Sequence, residues 1–191
     1  MNIVEFYRNL GVKNEKTAQF LAENTRMVKR RKGYMLRSAG DDLNTILFHL
    51  KGVARYSFID DEGHESVMGF RTGTGPCVGT LDLEGPINMN VEAVSDMTIL
   101  ELPKTVMMQA IGMDSTLYPV VLKQIAELQK RNYRWQIAMK TKDSKEKYQW
   151  FLEQYGDIAD VVTQKDIANF LNITPQTLCR VKRDMSPGLE D

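Results

Sequence analysis

The segment that most constrains the fold is residues 163–183, TQKDIANFLNITPQTLCRVKR, because it predicts two short helices joined by a tight corner. Thr163 and Asp166 form a capping-box pattern, which satisfies free N–H groups in the first turn of a helix. Asn172 tolerates the left-handed backbone of a corner, and Thr174 is typical of the N-cap of a second helix. The segment therefore predicts a helix-turn-helix.

The second of these predicted helices has an apolar side and a polar side. Leu178 and Val181 are expected to pack against the first helix, which leaves a polar row toward solvent. The DNA major groove admits one α-helix, where Arg180 can bind guanine through two hydrogen bonds and Gln176 can pair with adenine. The predicted DNA-binding residues are Thr163, Thr174, Pro175, Gln176, Thr177, Cys179, Arg180 and Arg183. The alternative interpretation is an ordinary pair of amphipathic helices that does not bind DNA.

Residues 163–183 resemble the helix-turn-helix of the CRP/FNR family of bacterial transcription regulators, and the resemblance extends over nearly the whole chain. It implies a cyclic-nucleotide-binding-like sensor domain, a dimerisation helix and a C-terminal DNA-binding domain. It also implies a homodimeric regulator, not an enzyme, that reads a pseudo-palindromic operator in double-stranded DNA through residues 174–183 and contacts RNA polymerase. The operator, the regulated genes and the direction of regulation stay open.

The first hundred residues predict the sensor domain. Residues 2–24 indicate two short helices, with a break at Gly11 and an N-cap at Asn14. Residues 25–102 contain many short strand-like runs separated by glycine- and aspartate-rich turns, a spacing typical of an antiparallel jelly roll. We therefore expect an α+β fold. Its predicted parts are N-terminal helices and a jelly-roll sensor domain in 1–113, a dimerisation helix in 114–142 and a helix-turn-helix domain in 143–191.

The resemblance also indicates a candidate ligand site in the sensor domain. CRP-like sensors bind cyclic nucleotides through a glycine, a glutamate, an arginine and a serine; here Gly79 is kept, but Thr80, Ile87 and Asn88 occupy the other positions. Without the arginine, a buried cyclic phosphate has no counter-charge, which costs several kcal/mol. The predicted degenerate site comprises Gly79, Thr80, Leu81, Ile87 and Asn88. We therefore expect poor binding of cyclic AMP and an unknown, less anionic effector, if the site binds one.

The sequence contains few side chains that could bind a cofactor or a metal ion. Cys77 and Cys179 cannot supply the four ligands of an iron–sulfur cluster, and their separation argues against a disulfide framework. His49 and His64 are the candidate axial ligands for haem, but a lone histidine in a strand or turn is more often structural. They also lack the histidine cluster of a cupin-type metal site. We therefore predict no cofactor and no metal.

Composition and hydropathy predict a cytoplasmic protein without a membrane partner. The 191 residues have a formal net charge of zero, and no apolar run approaches the roughly 18 residues that a membrane-spanning helix needs. The N-terminus lacks the pattern of an export signal. Basic residues are concentrated in 130–147, where seven lysines and arginines outweigh two acidic residues. Such a run is usually a solvated helix face.

Residues 115–142 predict one long helix with a heptad-like apolar seam. A helix of about 25 residues is about 38 Å long, which exceeds what a solitary surface helix needs. The predicted dimerisation residues are Val121, Ile125, Leu128, Asn132, Trp135 and Met139. A buried Asn132 is expected to fix the register of a two-stranded pairing. The alternative is that the seam packs on the sensor domain.

The helix-turn-helix departs from the family pattern in two respects. Pro175 and Gln176 stand where relatives usually have arginine or valine and then glutamate, while Arg180 matches directly, so we expect a different operator. The sequence also stops at Asp191 without an evident β-hairpin wing. We therefore expect a short form with fewer phosphate contacts and weaker DNA affinity.

A different class of function is compatible with the same elements. The chain would then be a small-molecule-binding or enzymatic jelly-roll protein whose C-terminal helices mediate protein contacts. Arg180 distinguishes the two hypotheses, because its substitution by alanine abolishes sequence-specific DNA binding only in a regulator.

Overall fold

The computed structural model describes residues 2–42, 44–77 and 88–185, and it has the α+β fold expected from the sequence. The helices are α1 (Ile3–Leu10), α2 (Glu15–Glu23), α3 (Lys104–Met113), α4 (Leu117–Thr141), α5 (Ser144–Tyr155), α6 (Gln164–Phe170) and α7 (Pro175–Met185), with a 3-10 turn at Gly156–Ile158. The strands are β1 (Arg26–Arg30), β2 (Met35–Arg37), β3 (Thr45–Lys51), β4 (Ala54–Ile59), β5 (Glu65–Arg71), β6 (Gly75–Pro76), β7 (Asn90–Ala93) and β8 (Met97–Pro103).

Side-chain caps define the two N-terminal helices. Asn2 Oδ1 accepts a hydrogen bond of 3.0 Å from the amide of Val4 at the start of α1. Gly11 ends this helix with a φ of 109°, a left-handed conformation that glycine adopts without steric cost. Asn14 Oδ1 caps α2 by accepting a hydrogen bond of 3.0 Å from the amide of Lys16. The predicted break at Gly11 and the predicted cap at Asn14 are therefore confirmed.

The strands of the described residues form two four-stranded sheets, with the orders β1-β8-β3-β6 and β2-β7-β4-β5. The pairs β1–β8, β3–β8, β3–β6 and β2–β7 are antiparallel. Non-consecutive strands are neighbours throughout the first sheet, as they are in a jelly roll. The structure therefore has the antiparallel roll that the strand spacing predicts.

The roll has a hydrophobic core on each side of its first sheet. Ile46 and Phe48 of β3 pack with Phe6 and other side chains of the N-terminal helices. Leu47 lies between them in sequence, points to the opposite face, and packs with Val91 and other residues of the second sheet. This separation follows from the period of two in a strand, in which successive side chains point to opposite faces. One core therefore lies under the helices and the other lies between the sheets.

The chain forms two compact units. The first comprises Met1–Tyr56 and Phe70–Gln129, and the second comprises Ser57–Gly69 and Lys130–Asp191. The second unit thus contains the hairpin end of β4 and β5, the C-terminal half of α4, and the helices α5 to α7.

Aromatic rings form the centre of the second unit. Phe170 lies at the end of α6. The centroid of its ring is between 5.6 and 6.2 Å from the ring centroids of Trp135, Trp150, Phe151 and Tyr155. Trp135 also donates a hydrogen bond of 3.1 Å from its Nε1 to the carbonyl oxygen of Phe170. Each aromatic pair contributes about 0.5–1.5 kcal/mol beyond the burial of its area. These contacts fix α6 against α4 and α5 within the unit.

α4 runs without a break over 25 residues, which confirms the predicted long helix. Of the predicted dimerisation residues, Ile125 and Asn132 are exposed, whereas Val121, Leu128, Trp135 and Met139 are half-buried. Val121 and Ile125 line a cavity of the first unit, and Trp135 and Met139 line a groove of the second. Part of the predicted seam therefore has neighbours within its own chain.

None of the helices of the described residues combines the length and the apolar character needed to cross a bilayer. Within residues 2–42, 44–77 and 88–185, likewise, no three histidine, cysteine, aspartate or glutamate side chains are grouped so that they could hold a metal ion.

Candidate nucleic-acid interface

The candidate interface is the pair of helices α6 and α7 with the corner between them. Thr163 caps α6, because its Oγ1 accepts a hydrogen bond of 3.1 Å from the amide of Asp166. The same hydroxyl donates a hydrogen bond of 2.7 Å to Oδ2 of Asp166. The cap that the sequence predicts at this helix is therefore confirmed, and it leaves Thr163 exposed at the helix end.

The corner follows the local chemistry of its residues. Asn172 has a φ of 52°, the one positive φ found at a residue other than glycine in the part of the chain that the structure describes. The amide of Ile173 then donates a hydrogen bond of 3.0 Å to the carbonyl oxygen of Ala168, which closes the end of α6. Asparagine tolerates this left-handed conformation better than most residues. The predicted turn at Asn172 is therefore confirmed.

Two threonines define the start of α7. Thr174 Oγ1 accepts a hydrogen bond of 3.1 Å from the amide of Thr177, and the two threonine hydroxyls lie 2.9 Å apart. Pro175 is the first residue of the helix, where its missing N–H costs no intrahelical hydrogen bond. The hydroxyls of Thr174 and Thr177 thus form a cap within this chain. Thr174 is exposed, and Thr177 is half-buried.

One face of α7 is open to solvent and polar. Asp184 is exposed at the edge of this face, and so are the five predicted outward residues Pro175, Gln176, Cys179, Arg180 and Arg183. At 100° per residue, these five positions cover a continuous arc of about 140° around the helix. Leu178 and Val181 occupy the opposite side and are buried, as the sequence predicts. The structure therefore brings the five predicted outward residues of α7 together on one face, which we call the α7 outer face.

Lys182 lies beside this face and has a role that the sequence did not indicate. Its Nζ is 6.0 Å from the centroid of the Tyr148 ring, which belongs to α5. A cation at this distance from an aromatic face is attracted by the ring quadrupole. Burial raises the pKa of Tyr148, and the charge of Asp160 raises it further. Lys182 therefore helps to hold α7 on α5, while Arg180 and Arg183 stay exposed.

A second residue that the sequence analysis missed is Asn169 on α6. Together with the corner residues and β5, it lines a groove of about 510 Å³ within the second unit. The lining residues are Ser66, Val67, Met68, Trp135, Met139, Asn169, Asn172, Ile173 and Thr174. No signal in the sequence connects Asn169 with β5, because the two are about a hundred residues apart and their contact depends on the tertiary fold.

Most of the predicted degenerate ligand site lies outside the described residues. Gly79, Thr80, Leu81 and Ile87 fall between residues 77 and 88, and Asn88 is exposed. Cys77, which precedes this site, is buried between the sheets, and burial raises the pKa of its thiol to about 11.

The two histidines considered as haem ligands have different surroundings. His49 is buried, and its Nδ1 and Nε2 lie 2.8 and 2.9 Å from the carbonyl oxygens of Gly73 and Gly52. Burial lowers the pKa of His49, while the two carbonyl contacts oppose this effect. His64 is largely exposed in the β4–β5 hairpin, with its Nδ1 3.5 Å from Oδ2 of Asp60. Both nitrogens of His49 are thus engaged with the backbone, so His49 has a structural role.

The fold was compared with known proteins. No protein-family model matches the sequence, and no curated protein matches it either. Solved structures do match. FixK2 from Bradyrhizobium japonicum is 16% identical, with a TM-score of 0.74 over 84% of each chain. CLP from Xanthomonas campestris, a c-di-GMP-responsive global regulator, is 14% identical, with a TM-score of 0.71 over 90% of this chain and 91% of its own.

A third structure carries the family name itself. It is a protein from Eubacterium rectale assigned to the CRP/FNR transcriptional regulators, which is 16% identical, with a TM-score of 0.70 over 95% of this chain and 87% of its own. The similarity to these three structures includes nearly the whole chain and not the helix-turn-helix alone. The chain therefore has the fold of the CRP/FNR transcription regulators.

Proposed function

We propose that this protein is a homodimeric transcription regulator that binds double-stranded DNA through the α7 outer face. The observation that carries the proposal is the exposure of Gln176, Arg180 and Arg183 on one face of a capped second helix in a helix-turn-helix. The overall fold, shared with transcription regulators, supports it.

The chemistry of the α7 outer face suits the DNA major groove. The major groove is wide enough to admit one α-helix, whose exposed N-terminal residues then reach the base edges. Gln176 and Arg180 lie in the first two turns of α7, so we assign both of them to base contacts. Arg183 lies one turn beyond Cys179 and would contact the phosphate backbone. The exposed Thr163 and Thr174 at the two helix starts would approach phosphates through their backbone and hydroxyl groups.

The dimer interface is proposed on the exposed face of α4. Large side chains on this face are open to solvent, with Tyr118 at 57%, Leu122 at 63% and Tyr133 at 65% of their full exposure. Ile125 lies on the same face, and so does the exposed Asn132. At 100° per residue, this face is rotated by about 80° from the seam predicted from the sequence. Ile125 and Asn132 belong both to this exposed face and to the predicted seam.

Pairing of this face would bury apolar area that a monomer leaves in water. An exposed apolar stripe on a long helix marks an interaction surface, and two equal helices can bury it against each other. In a two-fold dimer, two α7 helices would read half-sites about 34–36 Å apart, so the operator would be a pseudo-palindrome. Contact with RNA polymerase and control by a small effector belong to the same proposal.

Salt-dependent DNA binding tests this function. We would measure the affinity for a random 30-bp duplex pool by fluorescence anisotropy between about 50 and 200 mM salt. Arg183→Ala removes a phosphate contact and should weaken binding and reduce the slope of log K against log salt by about one. Arg180→Ala removes a base contact and should weaken binding with less change in this slope. Arg26→Ala is the matched control, because Arg26 is an exposed arginine of β1 in the first unit. Equal affinities for all four proteins would contradict the proposal.

A further inference from the structure

A basic pocket lies in the first unit, beside the C-terminal end of β1. The segment that forms this end, residues 26–32 with the sequence RMVKRRK, contains five lysines and arginines and no acidic residue. The pocket has a volume of about 350 Å³, and small-molecule sites usually have about 300–1,000 Å³. Its lining residues are Lys29, Arg30, Arg31, Lys51, Asp96, Met97 and Thr98. The pocket is therefore large enough for a small ligand.

The register of three strands places two lysines around one threonine. In the ladder between β1 and β8, Lys29 is the partner of Thr98. In the ladder between β3 and β8, Lys51 is the partner of the same Thr98. Neighbouring strands are about 4.8 Å apart, so the backbones of the two lysines are about 10 Å apart. Because partners across a ladder have their side chains on the same face, both ammonium groups can reach an anion that lies over the threonine.

A β-bulge and a glycine fix the position of Lys51. The register of β3 against β8 shifts just before this residue, so that Lys51, and not Leu50, lies opposite Thr98. Bulges of this kind redirect a side chain. Gly52 follows with a φ of 97°, and a Cβ at this position would clash with the carbonyl oxygen of Asp96. Glycine thus lets the chain approach the β7–β8 turn closely, which holds Lys51 at the edge of the pocket.

The negative charges near the pocket already have partners. Oδ1 of Asp96 accepts a hydrogen bond of 3.0 Å from the amide of Lys32, which joins the β7–β8 turn to the end of β1. Arg30 donates a hydrogen bond of 2.9 Å from its Nη2 to Oε1 of Glu101, so its charge is balanced. The other cations of the lining are exposed, namely Lys29, Arg31 and Lys51. The lining therefore has an excess of positive charge that faces solvent.

We propose that this pocket binds a small molecule with two linked phosphoryl groups. A single exposed ion pair contributes little to affinity, so an open pocket needs a ligand that engages several cations together. Each phosphoryl group has about 1.5 negative charges at pH 7. Its oxygens accept hydrogen bonds from Lys29 and Lys51, while the hydroxyl of Thr98 donates to an oxygen between them. Arg31 can bind the second group through two parallel hydrogen bonds.

The close spacing of the cations favours this ligand over an acidic peptide. Side chains on one face of an extended peptide repeat about every 6.6 Å, whereas both lysines converge on the space above one threonine. Two linked phosphoryl groups concentrate their charge within that space. The proposal concerns the first unit only and does not rest on the proposed function.

Titration of the full chain with pyrophosphate, followed by calorimetry, tests the site. A constant ionic strength of about 0.15 M keeps general screening unchanged, and we expect saturable binding of one pyrophosphate per chain. Lys29→Gln and Lys51→Gln should each weaken the affinity by about threefold to fivefold, and the double variant by about tenfold. Lys16→Gln, at an exposed position of α2 outside the lining, should bind like the wild type. All three lysines are exposed, so these substitutions should keep the fold.

Other anions identify the class of ligand. Orthophosphate, which has one phosphoryl group, should bind at least about fivefold more weakly than pyrophosphate. A pentaglutamate peptide should also bind more weakly than pyrophosphate. The experiment contains no DNA and leaves α7 unchanged, so its failure is distinct from a failure of the proposed function.

Three results would overturn the proposal. The first is the absence of saturable binding of pyrophosphate to the wild type up to about 10 mM. The second is equal affinity of the wild type and the double variant of Lys29 and Lys51. The third is tighter binding of pentaglutamate than of pyrophosphate, lost in the double variant, which would make the pocket a surface for an acidic protein segment.

Discussion

The side chain of Asn169 pairs with the backbone of β5, because its Oδ1 accepts a hydrogen bond of 2.7 Å from the amide of Val67. Its Nδ2 donates a second hydrogen bond of 2.7 Å to the carbonyl oxygen of Glu65. Among the strands of the described residues, β5 is the last one of its sheet, so its outer backbone groups face no further strand of that set. The carboxamide thus imitates a neighbouring strand and fixes the first helix of the helix-turn-helix to the hairpin within the second unit.

Replacing Asn169 by leucine should destabilise the second unit. The side chain keeps the same number and branching of heavy atoms but loses two hydrogen bonds, which removes this partner from the Val67 amide and the Glu65 carbonyl. We expect a loss of about 2 kcal/mol in the free energy of unfolding by urea. Hydrogen exchange should show faster exchange of the Val67 amide. Gln149→Leu, a change of an exposed amide on α5, is the control. Unchanged protection of Val67 would contradict this role.

The exposure of Cys179 makes the α7 outer face chemically accessible. Cys77 is buried and its pKa is raised to about 11, so its thiolate form is scarce at neutral pH. A bulky maleimide should therefore label Cys179 first and should block DNA binding by covering the face. Cys179→Ser should bind DNA with or without the reagent. Full DNA affinity of the wild type after complete labelling of Cys179 would argue against DNA contact through this face.

A charge at Leu122 should prevent dimer formation. Leu122 is on the exposed face of α4, and a glutamate there would have to be buried without a partner in the pair. We expect Leu122→Glu to sediment as a monomer at concentrations where the wild type is a dimer. Lys123→Glu changes the charge at an adjacent exposed position that points away from this face. Dimers in both variants would place the interface elsewhere.

The buried His49 should make stability depend on pH. Its pKa is lowered from 6.5, first by burial and further by the charge of Arg71. The unfolded chain therefore binds more protons below the ordinary pKa of histidine, so the stabilising contribution is complete above it and is lost as the pH falls toward the folded pKa. The midpoint of urea unfolding should drop between about pH 7.5 and about pH 5. His49→Gln should show a smaller drop, and His64→Gln, at an exposed position, should resemble the wild type.

The sequence predicted well those features that depend on neighbouring residues. The caps at Thr163 and Thr174 and the left-handed corner at Asn172 follow from hydrogen bonds within one helical turn, so the residue types alone indicate them. The face of α4 open to solvent could not be obtained in this way. Val121 is half-buried because it lines a cavity whose other walls come from segments distant in sequence. A heptad pattern carries no information on such contacts.

The same limit applies to contacts across the fold. Asn169 meets Val67 over a separation of 102 residues, and Lys182 reaches Tyr148 on another helix. A polar residue inside a short helix gives no sign of its partner until the elements are packed. The cavity that Val121 and Ile125 line is likewise formed by six elements together, so only the structure reveals it.

Selection of bound sequences from random duplex DNA separates sequence-specific binding by α7 from nonspecific binding to phosphates. Wild type and Arg180→Ala would be compared at the same salt concentration, with Arg26→Ala as the control for loss of an exposed arginine. We predict that the wild type and Arg26→Ala enrich the same pseudo-palindrome, with half-site centres about one DNA turn apart, and that Arg180→Ala enriches none. Binding without enrichment, equal in all three proteins, would contradict DNA reading by α7.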